Sequence, residues 1–209
     1  MVTSLTLLHT SPVHVPVFDA LRDRDHPGAV LRHLVVPELL DRARTQGPDS
    51  VVPALWTLLD GAGGPVLVTC SSIGGVAESL APELGVPVLR VDRPMAAEAV
   101  RTGPRIAVLA TVESTLAPTA ALVAEEAARA GRPVSITTRV IEDAWPRFEA
   151  GDTAGYLGLV AEAADAVTGA DAIVLAQASM ADAAPLATTA TPVFSSPAPG
   201  LAAALGAVR

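Results

Sequence analysis

The chain has 209 residues, half of them hydrophobic and 17% charged, enough for one large or two small folded domains and incompatible with disorder. Its net charge is −8, and all 14 basic residues are arginine. No basic cluster offers itself to nucleic acid, and no lysine is present for a Schiff base, a bound pyridoxal phosphate or a P-loop. The single cysteine, Cys70, excludes an intramolecular disulfide and a thiolate zinc cluster. The first 16 residues carry no positive charge ahead of their short apolar run, so they do not read as a secretory signal. Prolines, glycines and charges interrupt every apolar stretch before it reaches membrane-spanning length. These features predict a cytoplasmic protein with neither membrane nor nucleic-acid partners.

In chain order, short β-branched runs alternate with longer alanine- and leucine-rich segments. The pattern predicts strands over residues 5–9, 29–36, 65–69, 86–91, 105–110, 134–141, 172–176 and 192–195. Helices are predicted over 17–24, 51–62, 75–84, 96–101, 116–130, 153–168, 181–187 and 200–208. Strand, helix, strand in repetition implies parallel strands with right-handed crossovers, and strands without polar alternation imply helices on both faces.

A repeat sharpens this picture. Val66-Leu-Val-Thr-Cys-Ser-Ser-Ile73 aligns with Ile173-Val-Leu-Ala-Gln-Ala-Ser-Met180, and each precedes a helix and then a Val-Pro-Val or Thr-Pro-Val strand. Leu7-Leu-His-Thr-Ser11 aligns with Val108-Leu-Ala-Thr-Val112, and residues 29–35 with 134–140. Four matches in the same order at nearly constant offset make two copies of a four-stranded βα unit. The predicted division is 1–97, completed by a C-terminal helix over 198–209, and 98–197.

Ligands of open parallel sheets bind beyond the carboxyl ends of the strands, and here those ends form a hydroxyl-rich rim. It comprises His9, Thr10 and Ser11 after the first strand, then Thr69, Cys70, Ser71 and Ser72 ahead of Gly74-Gly75. The second copy contributes Thr111, Ser114 and Thr115, then Gln177 and Ser179. Hydroxyls and free N–H groups at helix starts hold anions, carboxylates above all, and an acidic, lysine-free protein needs such neutral donors. Cys70 stands where a strand ends and a glycine-containing turn opens a helix; it reads as a reactive thiol or as a small buried apolar residue. His9 reads as a general base, an orienting group or a satisfied histidine. His14, His26 and His33 show no metal-ligand spacing and read as structural or surface residues. Arg90 and Arg93 read as surface residues, and Asp92 and Glu113 as solvated carboxylates near strand ends.

Val68-Thr-Cys-Ser-Ser-Ile-Gly74, Val108-Leu-Ala-Thr111 with Thr115, and Val174-Leu-Ala-Gln-Ala-Ser-Met180 resemble the Asp/Glu/hydantoin racemase superfamily. His9-Thr10 and Ser195-Ser196-Pro197 resemble it too, so the similarity runs through essentially the whole chain. The resemblance implies an α/β fold of two similar lobes related by a pseudo-twofold axis, with the active site in the cleft between them. It implies catalysis without metal or pyridoxal phosphate on a small carboxylic acid. Racemases of this type use two thiols, one per lobe, on opposite faces of the substrate α-carbon.

This sequence departs from that pattern. Cys70 matches the first thiol, but Gln177 holds the second position, and an amide exchanges no proton near neutral pH. The expected enzyme therefore works at the α-carbon with one thiol. Cys70 and His9 are the catalytic candidates; Thr10, Ser71, Ser72, Thr111, Ser114, Thr115, Gln177 and Ser179 are the substrate-binding ones. The alternatives are a one-thiol decarboxylase of malonate-type acids, resembling the arylmalonate decarboxylases, or a sensor that binds a small acid without turnover. Thiol addition to a double bond, as in the maleate isomerases, fits less well because those relatives keep both cysteines. An apolar, alanine-rich chain of this size also suggests a homodimer.

Overall fold

Eight short strands build two four-stranded parallel sheets, ordered β2-β1-β3-β4 and β6-β5-β7-β8, in a computed structural model that describes residues 4–207. The chain separates into two compact units, one running up to Val91 and resuming at Pro197, the other spanning Asp92–Ser196.

In the first unit the elements are β1 (Ser4–His9), α1 (Val15–Asp25), β2 (Val30–Val35), α2 (Glu38–Gln46), α3 (Val52–Asp60) and β3 (Val66–Val68). They continue with α4 (Ser71–Ser79), α5 (Ala81–Leu84) and β4 (Val88–Arg90), and α10 (Pro197–Ala207) completes the unit. The central strands are buried on both faces because helices cover both, and the side chains divide with the strand period of two. Leu8, Val66 and Val68 join one core with Leu55, Leu59 and Ile73; Leu5, Leu7 and Leu67 join another with Phe18, Leu201 and Leu205. The edge strand β2 lacks this cover, so Val30 and Val35 stay exposed.

The second unit repeats the scheme with α6 (Arg93–Thr102), β5 (Arg105–Ala110), α7 (Leu116–Arg129), β6 (Ser135–Val140), α8 (Ala144–Glu149), α9 (Thr153–Asp165), β7 (Ala172–Leu175) and β8 (Val193–Ser195). Ile106, Val108 and Val174 pack on one face with Met95, Leu122 and Val123, while Ala107, Leu109, Ile173 and Leu175 pack on the other with Tyr156 and Val160. Thr119, Leu122, Val123 and Ala127 give α7 a buried stripe at helical spacing. Among the described residues no helix is long and apolar enough to cross a membrane.

Every predicted strand is present, with its ends within two residues of those predicted. The helices α2 and α8 lie in stretches the pattern left blank. Each has few buried apolar positions, Leu39 and Ala43 in α2 and Ala144 in α8, too few to impose a visible periodicity. The segment predicted as a helix over 181–187 is a 3-10 helix over Ala178–Leu186, with Pro185 inside it removing a backbone donor. The helix predicted over 200–208 begins earlier, at Pro197, and residue 208 lies outside the described residues.

Gly74, read as part of a turn after Cys70, and Gly75, read as the start of the next helix, both lie inside α4, which starts at Ser71. Their missing side chains make room for Arg90, whose Cγ and Nε would stand 3.2 Å from a β-carbon on Gly74. Arg90 is thus buried at the end of β4 rather than on the surface. In α10, Gly200 serves a closer contact, since a β-carbon there would collide with the backbone carbonyl of Val91. Replacing Gly200 by Ala should lower unfolding stability by about 1–3 kcal/mol, because backbone cannot yield to the added methyl. Gly206→Ala on the same helix meets nothing within 4 Å and serves as the control. Urea denaturation of the two variants decides the point, and equal stability of Gly200→Ala and wild type would contradict it.

Candidate functional site

The strand registers settle which residues occupy equivalent places in the two units. Leu8 pairs with Val68 across β1 and β3, and Leu109 with Leu175 across β5 and β7. Two residues beyond the third strand of each sheet stand Cys70 and Gln177. Both have extended backbones, at φ −112°, ψ 118° and φ −121°, ψ 141°, and both cap the helix that follows. Gln177 is therefore the structural counterpart of Cys70. By the same register Thr10 corresponds to Thr111 and Ser72 to Ser179, whereas His9 and Thr69 correspond to Ala110 and Ala176.

In the first unit, Cys70 is half-buried and its thiol is free, while its carbonyl accepts from the Gly74 N–H at 2.9 Å. The 3-residue strand β3 ends at Val68, so Thr69 and Cys70 leave the sheet while Thr69 N–H still donates to the Leu8 carbonyl at 3.0 Å. Ser71 and Ser72 form the first turn of α4, half-buried, and Thr10 is buried after β1.

His9 is wholly buried and offers neither ring nitrogen to a ligand in this arrangement. Its Nδ1 lies 2.8 Å from Thr69 Oγ1 and its Nε2 lies 2.8 Å from His33 Nδ1. His33 Nε2 in turn faces Asp19 at 3.4 Å, and Asp19 also pairs with Arg22 at 2.9 Å. A hydrogen-bonded chain thus runs from Thr69, just past β3, to a half-buried carboxylate on α1. His33 is a member of this chain, and Asp19 joins it from a position that sequence spacing does not connect to either histidine. Burial pushes His9 down to about 3 from its ordinary 6.5, with the neighbouring His33 and His14 adding to the shift. His9 is therefore neutral at physiological pH, with both ring nitrogens engaged by Thr69 and His33.

In the second unit, Gln177 Oε1 accepts three donors: the Thr111 N–H at 2.6 Å, the Thr111 hydroxyl at 3.0 Å and the Val112 N–H at 3.3 Å. Thr115 is buried, and its hydroxyl donates to the Val112 carbonyl at 2.8 Å, which braces the same turn. Ser114 is exposed. The Ser179 hydroxyl pairs at 2.8 Å with the phenol of Tyr156 on α9. Burial raises the Tyr156 phenol, against the opposing pull of its hydrogen bonds to Ser179 and Thr111. Tyr156 is the chain's only tyrosine and 1% exposed. A buried phenol needs a partner, and that was the one available signal that it belongs with the strand-end hydroxyls.

The strand-end charges also differ from the surface reading. Asp92 is buried, and Arg93 is held by Glu126 and, at 3.3 Å, by Glu125 of α7. Glu113 is exposed, as read from the sequence. Among the described residues no three His, Cys, Asp or Glu side chains form a metal-ligand group.

The depressed His9 has a consequence for stability. An unfolded histidine takes up its proton near 6.5 and the folded one only near 3, so the unfolded state gains protons first as pH falls. Stability should be complete above about pH 6.5 and decline toward pH 3, by at most about 1.4 kcal/mol per pH unit for this group. His14, also lowered by burial, acts in the same direction. Chemical denaturation of wild type and His9→Asn across pH 4–8 should show a shallower slope below 6.5 in the variant; identical slopes would contradict the assignment.

The model of the Asp/Glu/hydantoin racemase family matches residues 14–204. None of the curated proteins matches the chain. Among solved structures, a glutamate racemase isoform from Bacillus anthracis superposes with a TM-score of 0.71 at 14% identity, covering 96% of this chain and 79% of that one. Glutamate racemase from Aquifex pyrophilus gives 0.63 at 15% identity over 99% and 84%. Arylmalonate decarboxylase gives 0.62 at 19% identity over 99% and 92%. At these identities the likeness concerns the fold. With a family match across nearly its whole length and two parallel four-stranded units, this chain belongs to the Asp/Glu/hydantoin racemase family.

Proposed function

We propose that this protein is an enzyme of the racemase/isomerase family that exchanges a proton at the α-carbon of a small carboxylic acid with a single thiol, that of Cys70. The observation that carries this reading is the residue in the equivalent place of the second unit. Gln177 stands there with its oxygen tied to Thr111 and Val112, and an amide neither takes nor gives a proton near neutral pH. Cys70 itself is half-buried with a free thiol, at the start of a helix whose first-turn N–H groups favour an anionic ligand.

In the proposed step the Cys70 thiolate removes the α-proton, and the C–H bonding electrons pass into an enediolate. The same thiol then returns a proton to the carbon it left. Racemisation by opposed thiols has no second acid here. His9 supports the site through Thr69, the residue before Cys70. Hydroxyls of Thr10, Ser71, Ser72, Thr111, Ser114, Thr115 and Ser179 are proposed to share in binding the acid.

A second reading follows from the same asymmetry, because decarboxylation of a malonate-type acid needs only one proton. The bond to the departing CO2 leaves its electrons in the enediolate, and Cys70 protonates the α-carbon. The fold likeness to arylmalonate decarboxylase is consistent with this chemistry.

In deuterium oxide the enzyme should exchange the α-proton of one of a panel of small acids, including aspartate, glutamate and phenylacetate. Cys70→Ala should slow that exchange by about 10²–10⁴-fold, the range for one positioned acid–base group. Release of CO2 from phenylmalonate, lost in the same variant, selects the decarboxylase. Exchange that survives the substitution, or acid binding with no turnover, would contradict the proposal.

A further inference from the structure

Two backbone N–H groups and a hydroxyl converge on one terminal atom of Gln177, and that convergence fixes the direction of its amide. Backbone N–H groups only donate, so the atom they meet is the carbonyl oxygen, and the Nε2 group occupies the other arm. The amide cannot flip, because reversal would set N–H against N–H at 2.6 and 3.3 Å and leave two backbone donors without a partner. Among the described residues, Nε2 hydrogen bonds to no protein group, and the side chain is only half-buried. Thr115 and the Val112 carbonyl hold the turn beneath this clamp, so the arm is presented by a braced base.

We infer that Gln177 is a substrate-binding residue whose fixed Nε2 group donates to a carboxylate or enediolate oxygen of the ligand, replacing proton exchange at this position by anion recognition. The inference rests on the reading of the protein as an enzyme for small acids. It adds the polarity of the contact: the ligand must bring an acceptor to Gln177, never a donor. An oxygen that gains negative charge during reaction gains most from such a preset donor. An amide cannot be a second acid, but it can hold a carboxylate or enediolate oxygen.

Gln177→Glu separates this role from a purely structural one. A glutamate retains an oxygen for Thr111 and Val112, so the clamp and the fold persist, while the second arm changes from a donor to a negatively charged acceptor. Isothermal titration with malonate and phenylacetate should show binding to wild type, weakened about 10- to 100-fold in Gln177→Glu, as expected for loss of a hydrogen bond to a charged group. In the wild-type protein, which needs no altered fold, the side-chain amide protons of Gln177 should shift downfield on adding the same acids. Binding to Gln177→Glu within twofold of wild type, or amide signals that do not move at saturation, would overturn the role of Gln177 and leave the enzyme reading standing. No binding of these acids to wild type would overturn the acid-site reading and this inference together.

Discussion

The register between the two central strands of each sheet is the constraint on which the rest depends. Pairing Leu8 with Val68, and Leu109 with Leu175, brings the residue after each first strand beside the residue that leaves each third strand. Once the hydrophobic positions of β1, β3, β5 and β7 are buried on both faces, a one-residue slip would turn every side chain to the opposite face. The core therefore fixes where Thr10, Cys70, Thr111 and Gln177 stand. Chemistry is added at positions the packing has already placed.

Within that shared frame the units have diverged. At the strand ends the first unit carries a polar chain, buried at Thr69 and His9 and half-buried at His33 and Asp19, where the second carries Ala110 and Ala176. Conversely, the second unit ties its helix-cap residue down through Gln177, while the first leaves a free thiol at that place. A buried polar chain is costly unless every member is paired, and His9 is paired at both nitrogens. The second unit places its buried polar groups elsewhere, at Tyr156 with Ser179 and at the Gln177 clamp.

The sequence revealed the fold well because the central strands are short, apolar and almost wholly buried, so the signal for residues 105–110 coincides with β5 itself. Alignment of the copies placed Gln177 opposite Cys70, and the structure agrees, since both cap the following helix. What escaped depends on contacts distant in sequence. Arg90 looked like a surface charge because nothing near it reveals that Gly74 and Gly75 leave it a slot. His33 joins His9 across 24 positions, Asp19 joins His33 across 14, and Tyr156 meets Ser179 across 23. Spacing rules reach along one helix or strand and do not reach across the fold.

A single measurement reaches the centre of the account: the configuration of a chiral acid recovered after partial α-exchange in deuterium oxide. One thiol working from one face predicts that the recovered acid carries deuterium and keeps its original configuration through many turnovers. Inversion at a rate equal to deuterium uptake would require a second acid on the far face, and would contradict the claim that Cys70 acts alone.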